Sequence, residues 1–226
     1  MLKTDLHTHS SWGRSGEHLE YSARELIKYA SKLGYEVLAL TEHNCNPYNY
    51  LKSYAKKHNI LLVPGVEINV GMKHVLVLNT EKGRELMHCD DFEKLKNEQA
   101  FLIAPHPFFP HPSSMKMRFF MKHKHLFDAL EHSWFYSNLI NFNRKVHKIA
   151  EKYKIPVVAN SDCHNLKNLN RNYSWIDADK NIDSVLEAIR KNRIRIHTEP
   201  LGNLELIIMS VRILYGMSLK TLSARS

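Results

Sequence analysis

The segment Asp5-Leu6-His7-Thr8-His9 ends a short apolar run, Leu2 to Leu6, near the start of the chain. Extended backbone sends every second side chain to the same side, so His7 and His9 face together. Two imidazoles so placed can close on one cation. By itself His-x-His is a weak signal, and the layout of the rest of the chain decides its meaning.

Working outward, apolar extended runs alternate with helical patterns, the signature of an α/β architecture. Helices are predicted over 21–33, 48–58, 140–153, 182–191 and 204–219, with shorter helical stretches within 82–98 and 115–124. Buried strands are predicted at 37–40, 60–63 (leading through Pro64-Gly65 to Val66-Glu67), 75–78, 101–104, 127–130, 156–159, 173–176 and 194–197. Four prolines make 105–114 a loop. No linker, repeat or low-complexity tract divides the 226 residues, so a single domain is expected, with residues 1–200 as a barrel and 201–226 as a C-terminal helix packing on it. Leu204, Ile207, Ile208, Val211 and Leu214 share one helical face, expected to close the barrel.

Composition narrows the class. Lys and Arg outnumber Asp and Glu by 32 to 23, giving +9 and favouring anionic partners such as nucleotides, sugar phosphates or nucleic acid. Three cysteines, Cys45, Cys89 and Cys163, never spaced as Cys-x-x-Cys, argue against a disulfide framework or thiolate zinc site. No apolar run approaches the roughly 18 residues of a membrane span, and no signal segment opens the sequence, so a cytoplasmic protein is expected.

The residues just past each apolar run point to chemistry. After the first come His7 and His9; after 37–40, Thr41-Glu42-His43; after 61–66, Glu67; after 101–104, Pro105-His106; after 127–130, Glu131-His132; after 157–159, Ser161-Asp162-Cys163-His164. In parallel α/β barrels the carboxyl ends of the strands gather on one face. His74 instead precedes its run, 75–78, so that strand is expected to enter the face from its other end. Mixed imidazole and carboxylate donors converging this way suit Zn, Mn or Fe.

Five segments in order resemble the PHP (polymerase and histidinol phosphatase) superfamily of metal-dependent phosphoesterases: Asp5-Leu6-His7-Thr8-His9, Thr41-Glu42-His43-Asn44, Pro64-Gly65-Val66-Glu67, Ala104-Pro105-His106-Pro107 and Ser161-Asp162-Cys163-His164. The resemblance implies a distorted (β/α)7 TIM-like barrel with two or three divalent ions at its C-terminal face. It implies that His7, His9, Glu67 and Asp162 hold one ion, that Glu67 bridges to a second held by His74 and His106, and that His43 and His164 hold a third. Two departures stand out. Glu42 replaces the family's usual Asp, and Arg14 and Ser15 occupy the positions where a further ligand to the third ion is common. Either Glu17 or His18 supplies that ligand, or the third ion is weakly held or absent. Arg14 and Arg118 are candidates for gripping a substrate phosphate.

The activity implied is hydrolysis of a phosphate ester of a small metabolite or nucleotide by a metal-bound hydroxide, with His43, Glu67, Asp162 and His164 as catalytic residues. His43 or His164 is the candidate proton donor to the leaving group. Glu131 is a candidate partner orienting a ligand imidazole, and His132 and Asn138 candidate pocket residues. Two alternatives stay open on the sequence. One is a nuclease or exonuclease on single-stranded nucleic acid, suggested by the basic, aromatic stretch 108–124; the other is a non-catalytic RNA-binding barrel subunit. Cys163, between two presumed ligands, should point away from them as a buried, inert thiol.

Overall fold

The computed structural model describes residues 1–12, 19–43, 45–86, 92–97 and 100–211. Arg14, Ser15, Glu17, His18, Cys89 and Leu214 lie outside them.

Among the described residues there are ten strands and seven α-helices. The strands are β1 (Leu2–Thr8), β2 (Val37–Leu40), β3 (Leu61–Leu62), β4 (Gly65–Val70), β5 (Lys73–Leu78), β6 (Phe101–Ala104), β7 (Ala129–His132), β8 (Val157–Ala159), β9 (Asn172–Ile176) and β10 (Ile194–Thr198). The helices are α1 (Ala23–Lys32), α2 (Tyr48–Lys57), α3 (Phe92–Asn97), α4 (Met117–His123), α5 (Asn143–Tyr153), α6 (Ile182–Arg190) and α7 (203–211). Local chemistry sets the ends. Ser22 and Glu25 form a reciprocal capping box at the start of α1, and Asn181 caps α6 by accepting from Ser184 N.

The strands form two sheets of five, in the orders β10-β9-β1-β2-β3 and β4-β5-β6-β7-β8. The expected α/β architecture is present, but a closed seven-stranded parallel barrel is not found among the described residues. Two local causes separate the sheets. Pro64, which has no N–H to continue a ladder, stands between β3 and β4, where the chain changes sheet. At the other border β8 and β9 meet through a side chain: the Ser174 hydroxyl accepts from Ala159 N (2.9 Å) and donates to Ala159 O (3.0 Å). Strand directions are also mixed. β4 pairs antiparallel with β5, and β5 with β6, so β5 does run opposite to its neighbours, as the position of His74 suggests. β9 is antiparallel to both β1 and β10.

Alternation along the strands sorts apolar residues into inner and outer layers. Val37, Ala39, Leu76, Leu78, Phe101, Ile103 and Ala129 share an inner core with Val185 and Ile189 of α6. Their neighbours on β5, β6 and β7 (Val75, Val77, Leu102, Ala104 and Leu130) face outward, packed with Phe120 of α4 and Val146 and Ala150 of α5. Leu38 and Leu40 face α1 and α2 in a third cluster. On β7 the alternation sends Glu131 inward, to a hydrogen-bond distance from His7. The inner layer therefore passes from apolar to polar along its length, and the polar end holds the site.

α7 contacts the body through buried Leu206, while Leu204, Ile207, Ile208 and Val211 are exposed. The apolar face expected to close the barrel points away from the sheets in its described part.

Candidate metal centre

β1 delivers the first histidines through an irregularity. Its register against β2 shifts between Asp5 and Thr8, a local kink of the kind that re-aims side chains. The buried Asp5 carboxylate braces the turn by accepting from His7 N (3.1 Å) and Ser161 N (3.2 Å). Complete burial pushes Asp5 up to about 7.

His7 and His9 are both buried, with their Nε2 atoms 3.1 Å apart. Asp162 Oδ1 lies 3.3 Å from each of these nitrogens. Glu67 Oε2 lies 3.5 Å from His7 Nε2, 3.3 Å from His9 Nε2 and 3.3 Å from His43 Nδ1. Its other oxygen, Oε1, lies 2.8 Å from His74 Nδ1 and 3.6 Å from His106 Nε2. One buried carboxylate thus faces five imidazoles from four other chain segments. Glu67 is the third residue of β4 rather than the residue after a strand. It is placed there because β4 begins where β2 ends: Glu67 N donates to Glu42 O (3.3 Å), and His43 and Glu67 form a lone bridge between the sheets.

Backbone geometry contributes as well. His106 (φ 31°) and Asp162 (φ 46°) both adopt positive φ, which non-glycine residues seldom do. Strained residues of this kind cluster at functional sites, and here they turn two side chains inward just past their strands.

Three groups in this cluster have donor atoms close enough to share an ion: His7, His9 and Asp162; His9, His43 and Glu67; and Glu67, His74 and His106. The first and third fall within the sets expected from the sequence. His43 sits with His9 and Glu67. His164 is outside all three groups; its Nδ1 lies 2.8 Å from Asp162 O, its side chain is about a third exposed, and its ring stands 4.7 Å from that of His9. Arg118 is exposed on the first turn of α4, in the segment that follows His106.

The donor chemistry fits a divalent cation. A carboxylate only accepts, so a proton of His7 lies on Nδ1, 2.8 Å from Glu131 Oε2, which leaves Nε2, facing His9, Asp162 and Glu67, as the nitrogen available to an ion. Glu67 Oε1 and His74 Nδ1 are buried 2.8 Å apart without an aligned hydrogen bond, and His9 Nδ1 is also unpartnered among the described residues. Acceptors converging in a buried space demand positive charge between them. The electrostatics agree. Burial alone would depress His9, but hydrogen bonds to Asp162 and Glu67 and the Glu67 charge raise it to about 10. Burial would raise Asp162 and Glu67, yet surrounding imidazoles hold both well below the usual carboxylate range.

A second layer fixes the first. Glu131 accepts from His7 Nδ1, from Asn160 Nδ2 (3.0 Å) and from His106 N (3.1 Å), binding three segments with one carboxylate. Asn160 in turn accepts from Leu6 N (2.9 Å). Glu131, expected just past its apolar run, lies within β7 and is turned inward by the alternation of that strand; Asn160, 154 residues from Leu6, has no local signal in the sequence. Glu42 is also buried and grips Ser10 through both its hydroxyl and its N–H (3.2 Å), so the longer acid anchors the segment beyond His9. Cys163 is buried and points away from the cluster: Tyr21 OH donates to its sulfur (3.4 Å), and burial pushes its thiol up to about 12. His132 points outward, with Nδ1 2.9 Å from His147 Nε2 of α5, and does not line the site.

Comparison with known proteins bears on the same question independently. A family model described as PHP-associated matches residues 141–194, which include Asp162 and His164. An uncharacterised protein of Methanocaldococcus jannaschii is 30% identical over 119 residues, spanning 48% of this chain and 70% of that protein. Among solved structures, PsfC from Pseudomonas syringae superposes with a TM-score of 0.63 at 15% identity, covering 96% of this chain and 98% of its own. The lesion-specific endonuclease Q of Pyrococcus furiosus gives 0.58 at 14% identity, covering 86% of this chain and 57% of that one. With the ordered motifs and the histidine–carboxylate cluster, these matches place the chain: it belongs to the PHP family.

Proposed function

We propose that the protein is a metal-dependent phosphoesterase that hydrolyses a phosphate ester of a small metabolite or nucleotide. The observation that carries this reading is Glu67, whose two oxygens face His7, His9 and His43 on one side and His74 and His106 on the other. In this reading the two sheets act as one incompletely closed barrel, in a cytoplasmic protein. His7, His9 and Asp162 would hold one divalent ion, Glu67 with His74 and His106 would hold a second, and His43 and His164 would be the candidates for a third. Mn, Zn and Fe all match the donor set. Bound there, such ions supply Lewis acidity, lowering the pKa of water and neutralising phosphoryl charge.

The chain's own residues do the rest. Glu131 keeps the His7 proton on Nδ1 and so keeps Nε2 available to an ion. Glu67 sets the spacing between the two halves of the site. His164, the most exposed imidazole of the group, would give a proton to the leaving alkoxide, with His43 as the alternative donor.

A second reading, a nuclease acting on single-stranded nucleic acid, is favoured by aromatic side chains in the segments beyond the site residues. Trp12 and Tyr50 pair at 5.6 Å just beyond His9 and His43, and Phe109 packs edge-on against Phe135 (5.1 Å) beyond His106 and Glu131. Bases stack on such surfaces. A non-catalytic RNA-binding subunit would have no use for the donor set.

Bound metal should be measured first. Mn- and Zn-loaded protein is then assayed against p-nitrophenyl phosphate, its bis-ester, nucleotides, histidinol phosphate and a short single-stranded oligonucleotide. Hydrolysis of monoesters above the oligonucleotide supports the first reading, and the reverse order the second. Protein that holds no metal and is inactive on the whole panel while binding RNA overturns both.

A further inference from the structure

Two stretches of the chain, 101–127 and 132–150, contain no Asp or Glu. The two carboxylates between them are engaged: Asp128 pairs with Lys96 (2.6 Å) and Arg190 (3.0 Å), and Glu131 lies buried behind His7. The cations of this region are left without a counter-charge. Among the described residues no carboxylate pairs with Arg118, Lys122 or Lys124, nor with Lys145, Lys148 or Lys152. These side chains share one outer face. α4 and α5 both turn their apolar sides to the outer layer of the sheet, Phe120 from one and Val146 and Ala150 from the other. Lys124 Nζ and Lys152 Nζ stand over the same Tyr153 ring, at 5.4 and 5.5 Å, joining the segment after α4 to the last turn of α5. At the other end of α5, Lys145 Nζ stands 5.2 Å over the ring of Phe108, two residues past His106. Lys145, Lys148 and Lys152, spaced i, i+3, i+7, thus form a stripe about 10 Å long that starts at the border of the metal centre. Aromatic rings stand at its inner end, where Phe109 meets Phe142 (5.7 Å) and Phe135 (5.1 Å).

We infer that the α4–α5 face is a track for single-stranded nucleic acid, with phosphates along Lys145, Lys148, Lys152 and Lys124 and bases stacked at Phe109 and Phe142. Charge complementarity selects a polyanion. One small phosphate is satisfied by one or two cations, whereas a row of unpaired cations matches the successive phosphates of a strand. The rings select a single strand, because its unstacked bases are free to lie on aromatic side chains beside a basic groove. A lipid surface fits the stripe less well, since the apolar sides of both helices are spent on the core and leave no wedge among the lysines to enter a bilayer. The inference deepens the nuclease reading and rests on it for the chemistry at the metal centre. Binding itself needs no hydrolysis, so the two fail separately.

Fluorescence anisotropy of a labelled oligo(dT) of about 15 nucleotides, with the full chain metal-free and metal-loaded over about 0.05–0.3 M salt, tests the track. The wild type should bind with an affinity that falls steeply with salt. The triple variant Lys145→Gln, Lys148→Gln, Lys152→Gln should lower the slope of log affinity against log salt by about 2, and weaken binding about 100-fold at about 0.1 M. The same loss of charge on α2 (Lys52→Gln, Lys56→Gln, Lys57→Gln) should weaken it less than about threefold. If the first variant loses its fold, an oligonucleotide carrying iodouracil must still photocrosslink to Phe109, Phe135 or Phe142 of the wild type. The proposal is overturned by a wild type that binds no oligonucleotide at the lowest salt, by equal losses in the two triple variants, or by crosslinks only elsewhere. Tighter binding to the duplex of the same length, or to phosphatidylserine vesicles, also overturns it. Binding through these lysines without cleavage of the strand supports the track and ends the nuclease reading alone.

Discussion

Glu131→Gln tests how the second layer controls the metal site. The substitution keeps shape and removes one charge. Both oxygens of Glu131 accept: Oε2 from His7 Nδ1 (2.8 Å) and Asn160 Nδ2 (3.0 Å), Oε1 from His106 N (3.1 Å). A glutamine offers only one oxygen. If it faces His7, its amide NH2 meets the His106 N–H, leaving buried donors opposed at a cost of about 1–3 kcal/mol. If it turns over, the NH2 faces His7 and pushes the imidazole proton to Nε2, removing the lone pair from the ligand cluster. Loss of charge assistance on the remaining bonds adds about 1 kcal/mol. Either arrangement lies at a ligand, so metal affinity should fall about 10- to 100-fold, the range for carboxylates behind metal-bound histidines. Competition with a chelator of known affinity measures this, and a melt of the metal-free protein reports the folding cost separately. Unchanged affinity in a folded variant would refute the reasoning.

Further predictions concern the frame and its pH response. A Cβ on Gly65 would lie 2.5 Å from Leu78 Cδ2 and 3.2 Å from Val77 O, so Gly65→Ala should destabilise by about 1–3 kcal/mol, read as a lower denaturation midpoint; an unchanged midpoint would mean the strands yield freely. Burial, with the nearby His147, depresses His132 to about 3. Its folded pKa lies below the unfolded value near 6.5, so the stability it supports is complete above that value and lost as pH falls from there toward 3. The contribution lost between pH 7 and pH 5 is about 2 kcal/mol, and urea unfolding of wild type and His132→Leu at both pH values should show a shallower acid loss in the variant. Cys163→Ser should retain wild-type metal content, because the sulfur faces Tyr21 and Asn165; loss of an ion would make the thiol a ligand after all.

Most of the site was legible because each ligand candidate adjoins an apolar run that forms a strand. His7 and His9, His43, His106 and Asp162 all read this way, and the reversed order of His74 and Val75 disclosed the reversed strand β5. Pairing between distant segments was not legible. Nothing near Ser174 shows that its hydroxyl replaces a ladder between β8 and β9, so two sheets appear where a closed barrel was expected. Asn160 and Asp5 tie β8 to β1 across more than 150 residues, and Glu42 reaches Ser10 across 32. The stripe on α7 was visible as a period, but periodicity says which residues share a face and not what that face meets.

In the proposed function Glu67 bridges two ion positions. Metal content by mass spectrometry, on wild type and Glu67→Gln after saturation and removal of excess Mn or Zn, tests it most directly. The wild type should hold two or three ions per chain, and the variant should lose at least one while staying folded. One ion or fewer in the wild type, or the same number in both proteins, would contradict the account.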